Sequence, residues 1–174
     1  MALLQEKSVI RVQKALAAAN HDDGIIELDK SARTVADAAK ALGVATGSIA
    51  VGRVFKIGGQ YVVAMLAGDQ DCLMENLPRV LSLKGEVEEA SEDETRKATG
   101  FRGSCISPVA ISKKLPMVID RSLKRFETLY AYAGHRRCLF ATTAAGLKRL
   151  TGAIVSYNIA EPSDAAGDVA GDAD

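Results

Sequence analysis

The chain has no tryptophan, and only four tyrosines, four phenylalanines, three cysteines and two histidines among 174 residues. Each shortage removes a class of explanation. Cys72, Cys105 and Cys138 are odd in number and widely spaced, so neither a disulfide framework nor a CxxC zinc site is legible. A reducing, cytoplasmic setting is the simplest expectation. No apolar run reaches the length of about 18 residues that a membrane span needs, so no membrane partner is expected. Met1-Ala-Leu-Leu-Gln-Glu-Lys7 has no basic region ahead of an apolar block, and a secretory leader is not expected. GxSxG, a Walker loop, HExxH and GxGxxG are all missing. The two histidines and three cysteines lack ligand spacing, so neither a metal nor another cofactor is expected.

What is present suits one globular domain: 48% hydrophobic and 25% charged residues. The formal net charge is zero but unevenly placed. Glu161, Asp164, Asp168, Asp172 and Asp174 lie in a tail without a base, leaving 22 bases against 17 acids in residues 1–160. The Ala/Gly/Asp composition of 161–174 predicts a disordered tail after a domain spanning 1–160. A mildly basic body is compatible with RNA, and with much else.

Apolar spacing predicts a helix over Lys7–Ala19 and a short strand at Gly24–Leu28. Thr34 with Asp37, and Ser91 with Glu94, are capping boxes that open helices ended by Gly43 and Gly100. Two β-rich runs around Gly58-Gly59 predict a hairpin from Ser48 to Leu66. Asp71–Leu83 reads as helical, with Pro78 near a start or a kink. Strands are predicted near Cys105–Val109, Met117–Asp120, Thr128–Tyr132 and Cys138–Ala141, then a helix capped by Thr143 and ended by Gly152. This irregular alternation predicts an α+β fold with a mixed, mostly antiparallel sheet and surrounding helices.

Few residues stand out chemically. His21 reads as a solvated turn residue. Ala133-Gly-His-Arg-Arg-Cys138 suits a phosphate- or ribose-holding loop, and equally a solvated hairpin turn around His135. Cys105 has no base assignable as its partner and reads as a buried or spectator thiol. Met65 and Met74 read as core.

Several stretches, in order, resemble the YbaK/ProX family, the free-standing relatives of the editing domain inserted in bacterial prolyl-tRNA synthetases. They are Ser31–Gly43, Ser48–Phe55, Ala98–Phe101, Ile106-Ser-Pro108, Leu115–Asp120, Tyr132–His135 and Leu147–Ala153. The resemblance implies hydrolysis of an amino acid wrongly attached to tRNA, probed at the acceptor end, with any further specificity shared with a synthetase. It implies a lysine on the central strand and a Gly-x-x-x-Pro loop whose backbone N–H groups approach the ester carbonyl. Here Val51 stands where the lysine would be, and Ser104 and Cys105 stand where the loop glycines would be, with a later glycine replaced by Ala110.

Two expectations follow. In one, deacylation persists, with Arg53, on the same strand face as Val51, supplying the cation, and Ser104, Cys105 or backbone N–H groups lining the pocket. Val51, Gly52, Ile106, Ser107 and Pro108 would then contact the substrate, with Asp120 and His135 as secondary candidates by family position. In the other, the domain keeps the fold and binds a small molecule, a tRNA end or a protein without deacylating. The sequence carries no signal for oligomeric state.

Overall fold

The computed structural model describes residues 2–21 and 24–163. Three of its α-helices start on a hydroxyl. Helix α2 (Val35–Leu42) and helix α4 (Glu92–Thr99) carry complete capping boxes, and Thr143 accepts the Gly146 N–H at the start of α5 (Ala144–Thr151). Each then ends on a left-handed glycine: Gly43, Gly100 and Gly152. Helix α1 (Lys7–Ala18) buries Val9, Val12 and Leu16, and α3 (Leu77–Leu81) has Pro78 in its first turn.

The main sheet contains β1 (Ile25–Glu27), β2 (Ile49–Ile57), β3 (Gln60–Ala67), β5 (Val87–Glu89), β6 (Met117–Asp120), β7 (Leu129–His135), β8 (Cys138–Thr142) and β9 (Ile154–Ser156). Its order is β1-β8-β7-β2-β3-β6-β9, with β5 also on β2. The β2–β7, β3–β6 and β6–β9 pairs are parallel, and the rest antiparallel. Strands β4 (Gln70–Cys72) and β10 (Ala160–Pro162) form a separate ribbon. The fold is α+β with a mixed, mostly antiparallel sheet, as the alternation of elements predicts.

Strand alternation divides the core. On one face Ala50, Val54, Met65, Ile119 and Phe140 pack with α1, α5 and the stretch holding Phe101, Ile106 and Val109. On the other, Ile49, Tyr132 and Leu139 lie with Ala38 and Ala39 of α2, while Phe55, Val62, Leu66 and Val118 lie with Leu77 of α3. Each fully buried Val, Leu, Ile, Phe or Met among them contributes about 1.5–3 kcal/mol of transfer free energy.

The structure corrects five expectations. Residues 105–109 are not a strand: a 3₁₀ turn at Gly103–Cys105 leads into an irregular loop. The helix expected from Asp71 begins instead as β4, passes a 3₁₀ turn at Met74–Asn76, and becomes α-helical only at Leu77. Met74 is consequently exposed, whereas Met65 is core. His21 is half-buried rather than solvated: its Nε2 donates to the Ala141 carbonyl (2.8 Å) and its ring meets Phe140 edge-on. Glu161 and Pro162 lie in β10, so regular structure passes the expected boundary at 160, while 164–174 lie outside the described residues.

Candidate functional site

Strand β2 organises the site because one of its edges is only partly used. Along β3 it is paired from Ala50 to Ile57. On the other edge β7 pairs with Ile49 and Ala50, and β5 pairs with Phe55 to Ile57. Between them, no strand among the described residues pairs with 51–54, and only the Ala90 N–H reaches in, to the Val54 carbonyl (3.1 Å). The 3₁₀ turn Gly103–Cys105 rests at this gap, against β2, β7 and α4.

Gly52 explains how closely the loop lies. A Cβ built there would sit 3.1 Å from Ile106 Cγ2 and 3.1 Å from Met65 Sδ. The absent side chain is what lets the buried Ile106 lie on the strand. Ser107 is fully buried and its Oγ accepts the Val109 N–H (3.3 Å). Pro108 is buried too. In the 3₁₀ turn the Ile106 N–H faces back toward the Gly103 carbonyl, and the Ser107 N–H follows it in a buried stretch. Successive backbone donors on a loop seated in a strand gap are the kind of group that can meet an anionic oxygen.

The loop is held by a residue the sequence did not single out. Arg11 of α1 donates to the Ala110 carbonyl (2.9 Å) and the Thr99 carbonyl (3.4 Å), and stacks on Phe101 with Cζ 4.5 Å from the ring centroid. It thereby clamps both ends of the loop. The three replaced glycines do not carry the same backbone cost. Ser104 and Cys105 occupy a right-handed 3₁₀ turn, where a Cβ is tolerated, so they incur no left-handed strain. Ala110, at φ +64°, does.

Val51 anchors the other face. One step past the Ala50–Ala131 pair, Val51 comes level with Tyr132, and both belong to the same apolar cluster. Val51 pairs with Leu66. One step past Met65–Ile119, Leu66 comes level with Asp120, which pairs with Ser156. Tyr132, Val51, Leu66, Asp120 and Ser156 therefore form a row across five strands on one face. With strands about 4.8 Å apart, Asp120 lies about 10 Å from Val51. Leu66 and Ser156 were not legible from sequence, because only the long-range register puts them there.

Arg53 shares the face of Val51, but its head turns away. It pairs with Glu89 and stacks on Phe55, with Cζ 5.4 Å from the centroid. Glu89 is opposite Phe55, one rung further from Val51. A cleft of about 340 Å³ brings Arg53 together with Gly103, Ile106, Thr95 and Glu89. Asp120 lines a different cavity, and its Oδ2 accepts the Ser122 N–H (2.9 Å). Burial raises the Cys72 thiol to about 12, and Arg53 and Asp120 are both near enough to act on its charge.

Cys105 is buried near enough to Tyr132 and Cys138 to bear on both. Burial pushes the Tyr132 phenol to about 12 and the Cys138 thiol to about 11, so both stay protonated at neutral pH. His135 does not join the row. Its Nδ1 accepts the Arg137 N–H (3.1 Å), and Arg137 is itself tied to the Leu28 carbonyl (2.8 Å). Burial, with Arg136 and Arg137 beside it, holds the imidazole below its ordinary value. Among the described residues no three His, Cys, Asp or Glu side chains converge as metal ligands do. No helix among them is long and apolar enough to cross a membrane.

This geometry has relatives. The family model for the aminoacyl-tRNA editing domain matches residues 29–150. A crystal structure of a candidate trans-editing enzyme for prolyl tRNA synthetase superposes with a TM-score of 0.83 at 30% identity, over 90% of this chain and 98% of that one. A scaffold protein from work on epitope backbone grafting superposes at 0.82 with 26% identity, over 91% and 99%. An uncharacterized protein of Bacillus subtilis (strain 168), YwhH, is 26% identical over 125 residues, 71% of this chain and 78% of its own. The chain belongs to the aminoacyl-tRNA editing domain family, in its YbaK/ProX-type branch.

Proposed function

We propose that the protein removes a wrongly attached amino acid from tRNA in trans, with tRNA(Pro) as the substrate class and the cytoplasm as its setting. The observation that carries this reading is the loop bearing the Ile106 and Ser107 N–H donors, laid closely over Gly52 at the gap beside β2. Water adds to the ester carbonyl, and these donors meet the charge that develops on the carbonyl oxygen. The carbon–oxygen bond to the ribose then breaks. The ribose oxygen takes one proton from the water, and the amino acid leaves as a carboxylate with release of the other. An ester is already activated, so orientation and oxyanion stabilisation supply much of the rate.

In this reading Val51 and Cys105 bound the space for the amino-acid side chain, with Ser104 and Pro108 shaping the loop around it. Arg53 contributes only if it leaves Glu89 when substrate arrives. Asp120 lies toward the nucleotide, and His135 acts at a distance by holding the β7–β8 turn. A synthetase partner would supply whatever tRNA specificity the acceptor end does not.

A specific observation favours a second reading. Val51 cannot carry charge, and the Arg53 guanidinium is already paired. A domain in that state binds a tRNA end without cleaving it. Deacylation of Ala-, Ser- and Cys-tRNA(Pro) by the purified protein separates the two. Release of any one amino acid establishes editing, and Arg53→Ala is then expected to slow it about tenfold. An unchanged rate removes Arg53 from the mechanism. No release, with tRNA binding intact, establishes the second reading.

A further inference from the structure

Strand β6 ends at Asp120 and β9 ends at Ser156, the last two members of the row that begins at Tyr132 and Val51. The residues that follow them meet again. Arg121 begins a 3₁₀ turn, Arg121–Arg125, and its Cζ lies 4.3 Å from the ring centroid of Tyr157. Tyr157 is 65% exposed, the most exposed large hydrophobic side chain among the described residues. Arg121, Lys124 and Arg125 line a cavity of about 380 Å³ together with Tyr157 and Asp120.

The charges there are not equivalent. Arg125 is held by Asp69 through two contacts (2.6 and 3.0 Å) and stacks on Phe126, so its charge is spent on the fold. Asp120 is engaged by the Ser122 N–H. Arg121 and Lys124 are exposed and make no ion pair among the described residues. The cavity therefore offers two available cations beside an exposed aromatic face already stacked on one side by a guanidinium. That combination grips phosphates and stacks a base, and it needs no sequence-specific contact.

We propose that Arg121, Lys124 and Tyr157 form the docking site for the unpaired 3′ nucleotides of tRNA: Tyr157 stacks a base and the two cations hold the flanking phosphates. The proposal rests on the editing reading above and extends it to the nucleic acid. Its place in the fold supports the assignment. Asp120 belongs both to this cavity and to the row containing Val51, about 10 Å away. Nucleotides held here lie next to a ribose whose ester faces the loop.

The test uses a fluorescein-labelled RNA minihelix with an unpaired 3′ CCA end, and the same duplex made blunt. Anisotropy is followed against salt, beside deacylation by the wild type. The wild type is expected to prefer the tailed RNA. Arg121→Glu with Lys124→Glu should weaken binding at least about tenfold and reduce the salt slope by about 1.4, at about 0.7 per phosphate. Tyr157→Ala should weaken the tailed RNA about fivefold or more and leave the blunt duplex unchanged. Lys113→Glu with Lys114→Glu, which line a separate groove, makes the same charge change as a control. All these side chains except Lys113 and Lys114 are placed in the site, and a thermal melt of each variant checks that it folds.

Several results would overturn the site: wild type that binds neither RNA, patch variants that bind like wild type, a control that loses as much as the patch, or equal loss of tailed and blunt RNA in Tyr157→Ala. The activity fails separately. Wild type that hydrolyses no mischarged tRNA, yet loses RNA binding when Arg121 and Lys124 are reversed, keeps the docking site and sinks deacylation.

Discussion

The β2–β3 hairpin and the loop from Gly100 to Ile111 meet at Gly52, and they are held in opposite ways. The hairpin is local. Eight paired positions run back from Gly58 and Gly59, both at positive φ, as the turn requires. The loop has no ladder. A guanidinium 88 to 99 residues away in the chain fastens it at Thr99 and Ala110, and a non-glycine residue bears the left-handed turn. The rigid member carries Val51 and Arg53, and the tethered member carries the N–H donors. Adjustment to a substrate is therefore expected from the loop rather than from the ladder.

The sharpest way to break the contrast is at the contact itself. Gly52→Val places a branched side chain where a Cβ alone is already within 3.1 Å of Ile106 and Met65. We expect destabilisation of about 2–3 kcal/mol by overpacking and displacement of the loop, read by denaturant unfolding. A variant of wild-type stability would show that the loop is not seated on the strand. Arg11→Ala leaves the hairpin alone and releases both ends of the loop. Its expected cost is about 2 kcal/mol, with amide exchange rising in 100–111 and not in β2 or β3. Uniform exchange would mean that the clamp serves the whole fold.

A third link joins the two regions through α4. Glu94 closes the capping box and also accepts from Lys56 Nζ (2.9 Å) and Tyr61 Oη (2.7 Å) of the hairpin. The Ser91 N–H, then Lys56 and Tyr61, hold its carboxyl down at about 2, below the ordinary 4.5. A depressed carboxylate stabilises the fold above its unfolded value and loses that contribution as pH falls through the folded one. Stability should decline between about pH 4.5 and 2, and Glu94→Gln should flatten that stretch of the pH–stability curve. An unchanged curve would remove this link.

The smallest effect is expected at Ala110→Gly. It relieves about 1 kcal/mol of left-handed strain and adds about 0.5 kcal/mol of unfolded-chain entropy, for a net gain of about 0.5 kcal/mol. A melting temperature that falls instead would show that the Ala110 methyl contributes packing in the cluster it borders.

Local chemistry determined much of this protein from its sequence. The capping boxes at Thr34 and Ser91, the left-handed glycines that end α2, α4 and α5, and the Gly58-Gly59 hairpin each depend on groups within a few residues of one another. The alternation that put Val51 and Arg53 on one face is local too. Tertiary structure decided the rest. Strands β5 and β10 are three residues long and exist only because β2 and β4 present edges to them. Ser104 and Cys105 fit because the backbone there is right-handed, which no residue identity announced. Whether Arg53 faces Val51 or Glu89 depends on where β5 returns. The row from Tyr132 to Ser156, and the meeting of Arg121 with Tyr157, arise from the register of β7, β2, β3, β6 and β9. Register between distant strands is set by packing the whole core at once, so the fold could be read along the chain, and the site only across it.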